Sequence, residues 1–128
     1  MVFLFGKESM MTPDQFNDVL QAQLATCKEV LTTKADEYAS TYDRLHNFKL
    51  AAALTDQTPA QALAGMMAKH TISVYDMIDS GLEYPQELWD EKITDHMNYL
   101  ILLKAIVAEK DIRVRAALDH PDEEDENE

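Results

Sequence analysis

Cysteine occurs once in the 128 residues, glycine three times and proline four times. A lone thiol, Cys27, excludes an intramolecular disulfide and fits a reducing cytoplasm, the compartment expected for this chain. So little glycine and proline argues against a β-sandwich or barrel, whose strands must turn every few residues. Cationic residues are scarce too. Against 24 Asp+Glu stand only 11 Lys+Arg, giving a formal net charge of −13 and a pI of about 4.5. A general nucleic-acid binder working by phosphate neutralisation is thereby excluded, and no direct nucleic-acid binding is expected. Cations, cation-bridged anions and basic proteins remain the natural partners. Long apolar runs are also missing: Met1–Phe5 is too short for a signal-peptide core or a membrane span, so no membrane role is expected.

What is present is helical periodicity in a chain that is 46% hydrophobic, enough for one core and one domain. Thr12-Pro13-Asp14-Gln15 is a helix start, with Thr12 as N-cap, Pro13 at the first helical position and Gln15 closing a capping box. Phe16, Val19, Leu20, Leu24, Cys27, Val30 and Leu31 then recur on one face. A short second helix carries Leu45, Phe48 and Ala52. Thr58-Pro59-Ala60-Gln61 repeats the start signal, Leu63 to Ile78 follow at helical spacing, and Gly81 ends that segment. A fourth helix begins near Pro85 and is expected to run to about Glu109. Its later half is apolar almost all round, which implies burial on more than one side, in a bundle or an oligomer interface. The expected fold is therefore all-α, a small bundle of about four helices. An N-terminal extension over 1–11 precedes a helical domain over 12–110, and 111–128 form a disordered acidic tail. From Asp119 onward seven of ten residues are acids, while the other 118 residues hold 11 cations and 17 acids. Much of the negative charge thus belongs to the tail.

Three polar clusters are candidates for chemistry. On a helix, Glu91 and Asp95 lie four apart, with Asn98 and Tyr99 three and four beyond Asp95, so one stripe presents two carboxylates, an amide and a phenol. Two carboxylates on one face repel unless they are solvated, protonated or bridged by a cation, and Mg²⁺ is the usual oxygen-liking choice. The bland alternative is a solvated acidic face continuing Glu87 and Asp90. A second cluster runs from Lys34 to Tyr38 and from Tyr42 to Lys49. If Glu37 faces Glu91 and Asp95, three carboxylates converge, enough to hold Mg²⁺ and a polyphosphate. Lys34, Arg44 and Lys49 could then take phosphate oxygens, while Tyr38 or Phe48 stacks a base. A charged turn with local ion pairs is the alternative there. The third cluster is Lys69, His70, Ser73 and Asp76. His70 falls on the apolar face with Met66 and Val74, where a satisfied core histidine is expected.

Other chemistries find no residues. The glycines at 6, 65 and 81 make no phosphate loop, and there is neither a paired-cysteine zinc signature nor a histidine pair at metal-ligand spacing.

Lys34-x-Asp36-Glu37-Tyr38, Asn47-Phe48, Lys69 and Asp95-x-x-Asn98-Tyr99, spread over about residues 30 to 108, resemble the phage nucleotide modification associated domain family. More distantly they resemble the MazG-like all-α nucleotide pyrophosphohydrolases. The resemblance implies a phage-type, oligomeric protein of nucleotide metabolism in the host-cell cytoplasm. It binds a (deoxy)nucleotide through Mg²⁺ and, as an enzyme, cleaves a nucleoside triphosphate to monophosphate and pyrophosphate. Glu37, Glu91 and Asp95 would be the catalytic metal ligands. Lys34, Arg44 and Lys69 would contact phosphate, Asn98 would orient ligand or water, and Tyr38, Asn47, Phe48 and Tyr99 complete the ligand set. The chain departs from the MazG-like pattern where Asp36 and Glu37 are adjacent and where Lys92, three before Asp95, replaces a glutamate. The alternative expectation is a non-enzymatic inhibitor or anti-defence protein. It would bind a host protein as an acidic nucleic-acid mimic, or sequester a signalling nucleotide.

Overall fold

A computed structural model describes residues 9–37 and 43–119, the side chains of 34–37 excepted. Four helices form: α1 (Pro13–Glu37), α2 (His46–Thr55), α3 (Pro59–Ser80) and α4 (Gln86–Asp119), with no strand among the described residues. The protein is all-α. Both expected capping boxes close. Thr12 Oγ1 accepts from the Gln15 N–H at 3.1 Å and Gln15 Oε1 accepts from the Thr12 N–H at 2.9 Å. The matching bonds between Thr58 and Gln61 are 3.2 and 2.9 Å. These bonds satisfy N–H groups that a helix start otherwise leaves orphaned. At the other end, Gly81 takes φ 68°, a left-handed turn that its missing Cβ makes inexpensive.

One boundary differs. α4 runs through Asp119, well past the expected end near Glu109, and takes in 111–119 of the expected tail. Good helix formers fill the added turns, and Arg113–Glu109 (3.6 Å) and Arg115–Asp111 (3.1 Å) pair four residues apart along them. The N-terminal stretch 1–8 and the acidic run 120–128 lie outside the described residues.

The long α4 is the spine. α1 and α3 both pack against it, and α2 packs on α3. Gln23 Nε2 donates to Thr94 Oγ1 at 2.8 Å, and two turns on in both helices Leu31 and Leu102 line one cavity, so α1 and α4 run parallel. α3 runs the other way: its Thr71 meets His96 at 3.1 Å, while its earlier Leu63 packs among Leu102, Leu103 and Ile106 of α4. Leu63, fully buried, centres the core with Leu45 and Phe48, and Leu103, Tyr99 and Met66 close around it.

Lys49, expected to take phosphate, is paired within this frame and does not line the cavity that Asn98 and Asp95 share. Its ammonium donates to Asp43 and, at 2.9 Å, to Glu109 Oε2, while Asp43 Oδ1 accepts from the Leu45 N–H at 2.9 Å. The start of α2 is thereby clamped to α4. The Lys49 hydrogen bond, then the Leu45 N–H, hold the Asp43 carboxyl below its usual range, and hydrogen bonds to Asp43 and Glu109 raise the Lys49 ammonium above its own. A lowered carboxyl contributes stability above its unfolded pKa of about 3.9 and loses it as pH falls through its lower folded value. The raised Lys49 contributes below about pH 10.4 and loses it as pH climbs through its higher folded value. We expect Asp43→Asn to be less stable than the parent near neutrality, with the difference shrinking between neutral and acid pH as pH falls through the lowered folded value of the carboxyl. Urea denaturation across that range checks this, and a pH-independent difference would refute it.

Candidate functional site

Where α4 passes between α1 and α3, a cavity of about 280 Å³ opens. α4 supplies Asp95, Asn98, Tyr99 and Leu102, the i, i+3, i+4, i+7 positions of one helical face. α1 contributes Val30 and Leu31. The start of α2 and the turn before it contribute Arg44, Asn47 and Phe48, and α3 adds Met66 and His70. The walls are mostly apolar and the polar groups are few and convergent, the usual composition of a small-molecule site.

Asn98 is the distinctive group. Its residue is 6% exposed, and among the described residues neither Nδ2 nor Oδ1 has a hydrogen-bond partner. Leaving such a group unsatisfied costs about 1–3 kcal/mol. Beside it, the Tyr99 ring tilts against the His70 imidazole with centroids 4.8 Å apart and planes at 41°. His70 Nδ1 stands 4.0 Å from Asp95 Oδ2, an ion pair whenever the imidazole is protonated. Phe48 belongs to the hydrophobic core and shows the cavity only part of its ring, as it is 7% exposed. The Arg44 guanidinium and the Asp95 carboxylate both belong to the lining, so the cavity holds one basic and one acidic side chain besides His70.

Six of the residues singled out in the sequence meet here: Arg44, Asn47, Phe48, Asp95, Asn98 and Tyr99. Others do not. Glu91 is exposed and does not line the cavity; one turn before Asp95, its carboxylate keeps its hydration. Lys69 is exposed on α3 and points its charge to water, one position from His70 but off the cavity wall. The side chains of Lys34 and Glu37, and the whole of Tyr38, lie outside the described residues. Among the described residues no three His, Cys, Asp or Glu side chains gather as metal ligands, and Asp95 is the one described carboxylate lining the cavity. His70 was expected in the core and instead lines the cavity. Its stripe with Met66 was visible in the sequence, but the antiparallel register that sets it opposite Asp95 was not.

The described residues define an all-α arrangement of four helices around a mostly apolar cavity whose lining includes the buried Asn98 amide. No described helix is long and apolar enough to cross a membrane. No family model, curated protein or solved structure matches the chain.

Proposed function

We propose that the protein binds a nucleotide in this cavity, with the base inward against Asn98 and the phosphates toward Arg44. The observation that carries the reading is the buried, unpartnered Asn98 amide. One planar group there offers an acceptor and two donors, and no described residue uses them. Nucleobases present adjacent donors and acceptors on one edge, and an asparagine amide pairs with such an edge through two parallel hydrogen bonds. Tyr99 and the exposed part of Phe48 offer ring faces to a flat ligand, and Arg44 offers a fork of donors suited to phosphate. The volume sits just under the roughly 300 Å³ at which small-molecule pockets begin, so the phosphates would lie at the mouth. The resemblance to nucleotide-metabolism families supports the same ligand class.

Hydrolysis with Mg²⁺ is the further step of this reading, and it requires Glu37 and Glu91 to bring their carboxylates to Asp95. The single described carboxylate of the cavity favours a second reading, in which the nucleotide is held without turnover. One calorimetric series with nucleosides, nucleotides and inorganic phosphate, each with and without Mg²⁺, tests both, alongside a pyrophosphate-release assay. Binding of the nucleoside-containing ligands is expected, and Asn98→Ala should weaken it about tenfold to a hundredfold, the worth of one or two lost hydrogen bonds. Pyrophosphate release that disappears in Asp95→Ala supports the enzyme, and binding without release supports sequestration. Absence of binding by any nucleoside or nucleotide at millimolar concentration sinks the proposal.

A further inference from the structure

Asp95 stands one helical turn before Asn98 on α4 and lines the same cavity. At that spacing the Cβ atoms of the two residues are about 5–6 Å apart, so one flat ligand can touch both side chains. The carboxylate is only partly in water, with its side chain 31% exposed. Among the described residues none donates a hydrogen bond to it, and His70 Nδ1, 4.0 Å from Oδ2, stands beyond hydrogen-bond reach. The two α4 groups differ in what they can read. An amide both donates and accepts, and by turning over it presents the two functions in either order. It therefore pairs with any base edge that sets a donor beside an acceptor, which every common nucleobase has. Asn47 and His70, also in the lining, each donate and accept as well. Arg44 only donates. Asp95 is the one side chain of the described lining that only accepts, and it alone asks the ligand for a further donor.

We infer that the site selects nucleobases carrying an exocyclic amino group, with Asp95 as the residue that determines specificity. The inference rests on the nucleotide reading given above. Consider a base whose edge donates to Asn98 Oδ1 and accepts from Nδ2. In adenine and cytosine the amino group gives one N–H to Oδ1 and keeps a second beside it. In guanine the ring N–H meets Oδ1, and the amino group stands next to that N–H. In all three the spare N–H lies on the Oδ1 side, where the Asp95 carboxylate accepts it. Uracil and thymine put a carbonyl oxygen in that place whichever way they pair, and so set lone pairs against a carboxylate. Hypoxanthine puts a C–H there and leaves the carboxylate without a partner. In a cavity with mostly apolar walls, both mismatches strand a polar group away from water, which penalises the wrong base more than the loss of an apolar contact does.

Calorimetry on the full chain with matched nucleoside monophosphates tests this, in EDTA so that no metal engages Asp95. The pairs are adenosine with inosine, cytidine with uridine, and guanosine with inosine. In the pair whose amino member binds most tightly, that member should exceed the one lacking the amino group by about tenfold or more, the worth of one hydrogen bond to a charged group. Asp95→Ala should bring the ratio close to one by weakening the amino member while leaving the other unchanged or improved. Asp95→Asn, of the same size as the parent residue, keeps an acceptor but gains a donor and should lower the ratio in the same direction. A residue serving only the fold would weaken both members alike. A uridine or inosine nucleotide that binds as tightly as its amino partner overturns the inference and leaves nucleotide binding standing, and so does a ratio that neither variant moves. Failure of every member to bind overturns the nucleotide reading and this inference with it.

Discussion

Replacing Asn98 with leucine should stabilise the ligand-free protein by about 1–3 kcal/mol and abolish nucleotide binding. Leucine is close to asparagine in size and carries no polar atoms, so it removes the penalty of an amide that is 6% exposed and unpartnered on both atoms. The same amide is the proposed contact to the base edge. Stability and binding should therefore move in opposite directions, as expected of a residue kept for its ligand and not for its fold. Thermal melts make the test direct. Ligand at a hundred times its dissociation constant stabilises the parent by about 2.7 kcal/mol through mass action and should leave the leucine variant where it was. Asn98→Asp is the complementary control. It places a second carboxylate in the cavity near Asp95 and should lose both stability and binding. A leucine variant that melts lower than the parent and still binds nucleotide would mean that Asn98 serves the fold.

Leu63→Ala should cost about 2–5 kcal/mol, a large loss for a single truncation. Leu63 is fully buried at the meeting point of α2, α3 and α4, packed with Leu45 and Phe48 and ringed by Met66, Tyr99 and Leu103. Removing its methyl groups forfeits their transfer energy and leaves a void that the three helices cannot collapse to fill. Against a total stability of about 5–15 kcal/mol for a domain, the melting temperature should fall by some 10 °C. The damage should reach the site, because Phe48, Met66 and Tyr99 line the ligand cavity as well as the core. A melting point lowered by only a degree or two would show that the core is centred elsewhere.

The helices were legible because their signals are local. Thr12 and Thr58, each followed by proline and then glutamine, capped where expected, and Gly81 stopped α3 through a conformation that only its missing side chain makes easy. The extension of α4 is hidden in the sequence because residues 111–119, charged at four of nine positions, run directly into the acidic block and read with it as tail. Its stability comes instead from helix-forming side chains and the pairs Arg113–Glu109 and Arg115–Asp111. For the site, residue type was informative and depth was not. The Asp95, Asn98, Tyr99 stripe could be read from spacing, and it does face the cavity. Glu91 shares that spacing and stays in water, since periodicity assigns a face but not where along the helix a neighbour ends. Lys49 looked like a phosphate ligand for the same reason. Only the fold shows that Asp43 and Glu109 already claim it, one of them 60 residues away in sequence. His70 reads as core in the sequence because an imidazole on an apolar stripe has no local mark that a cavity lies in front of it.

The parallel pairing of the first and last helices has a kinetic consequence. Gln23 waits for Thr94, 71 residues further along the chain, and α1 packs on no helix other than α4 among the described elements. During synthesis at about 5–20 residues per second, α1 leaves the ribosome several seconds before its partner exists. The α2–α3 hairpin can form in that interval, but α1 must remain a bare amphipathic segment until α4 emerges. The slow step of folding should accordingly be the capture of α1, and the vulnerable species in the cell is the chain not yet finished.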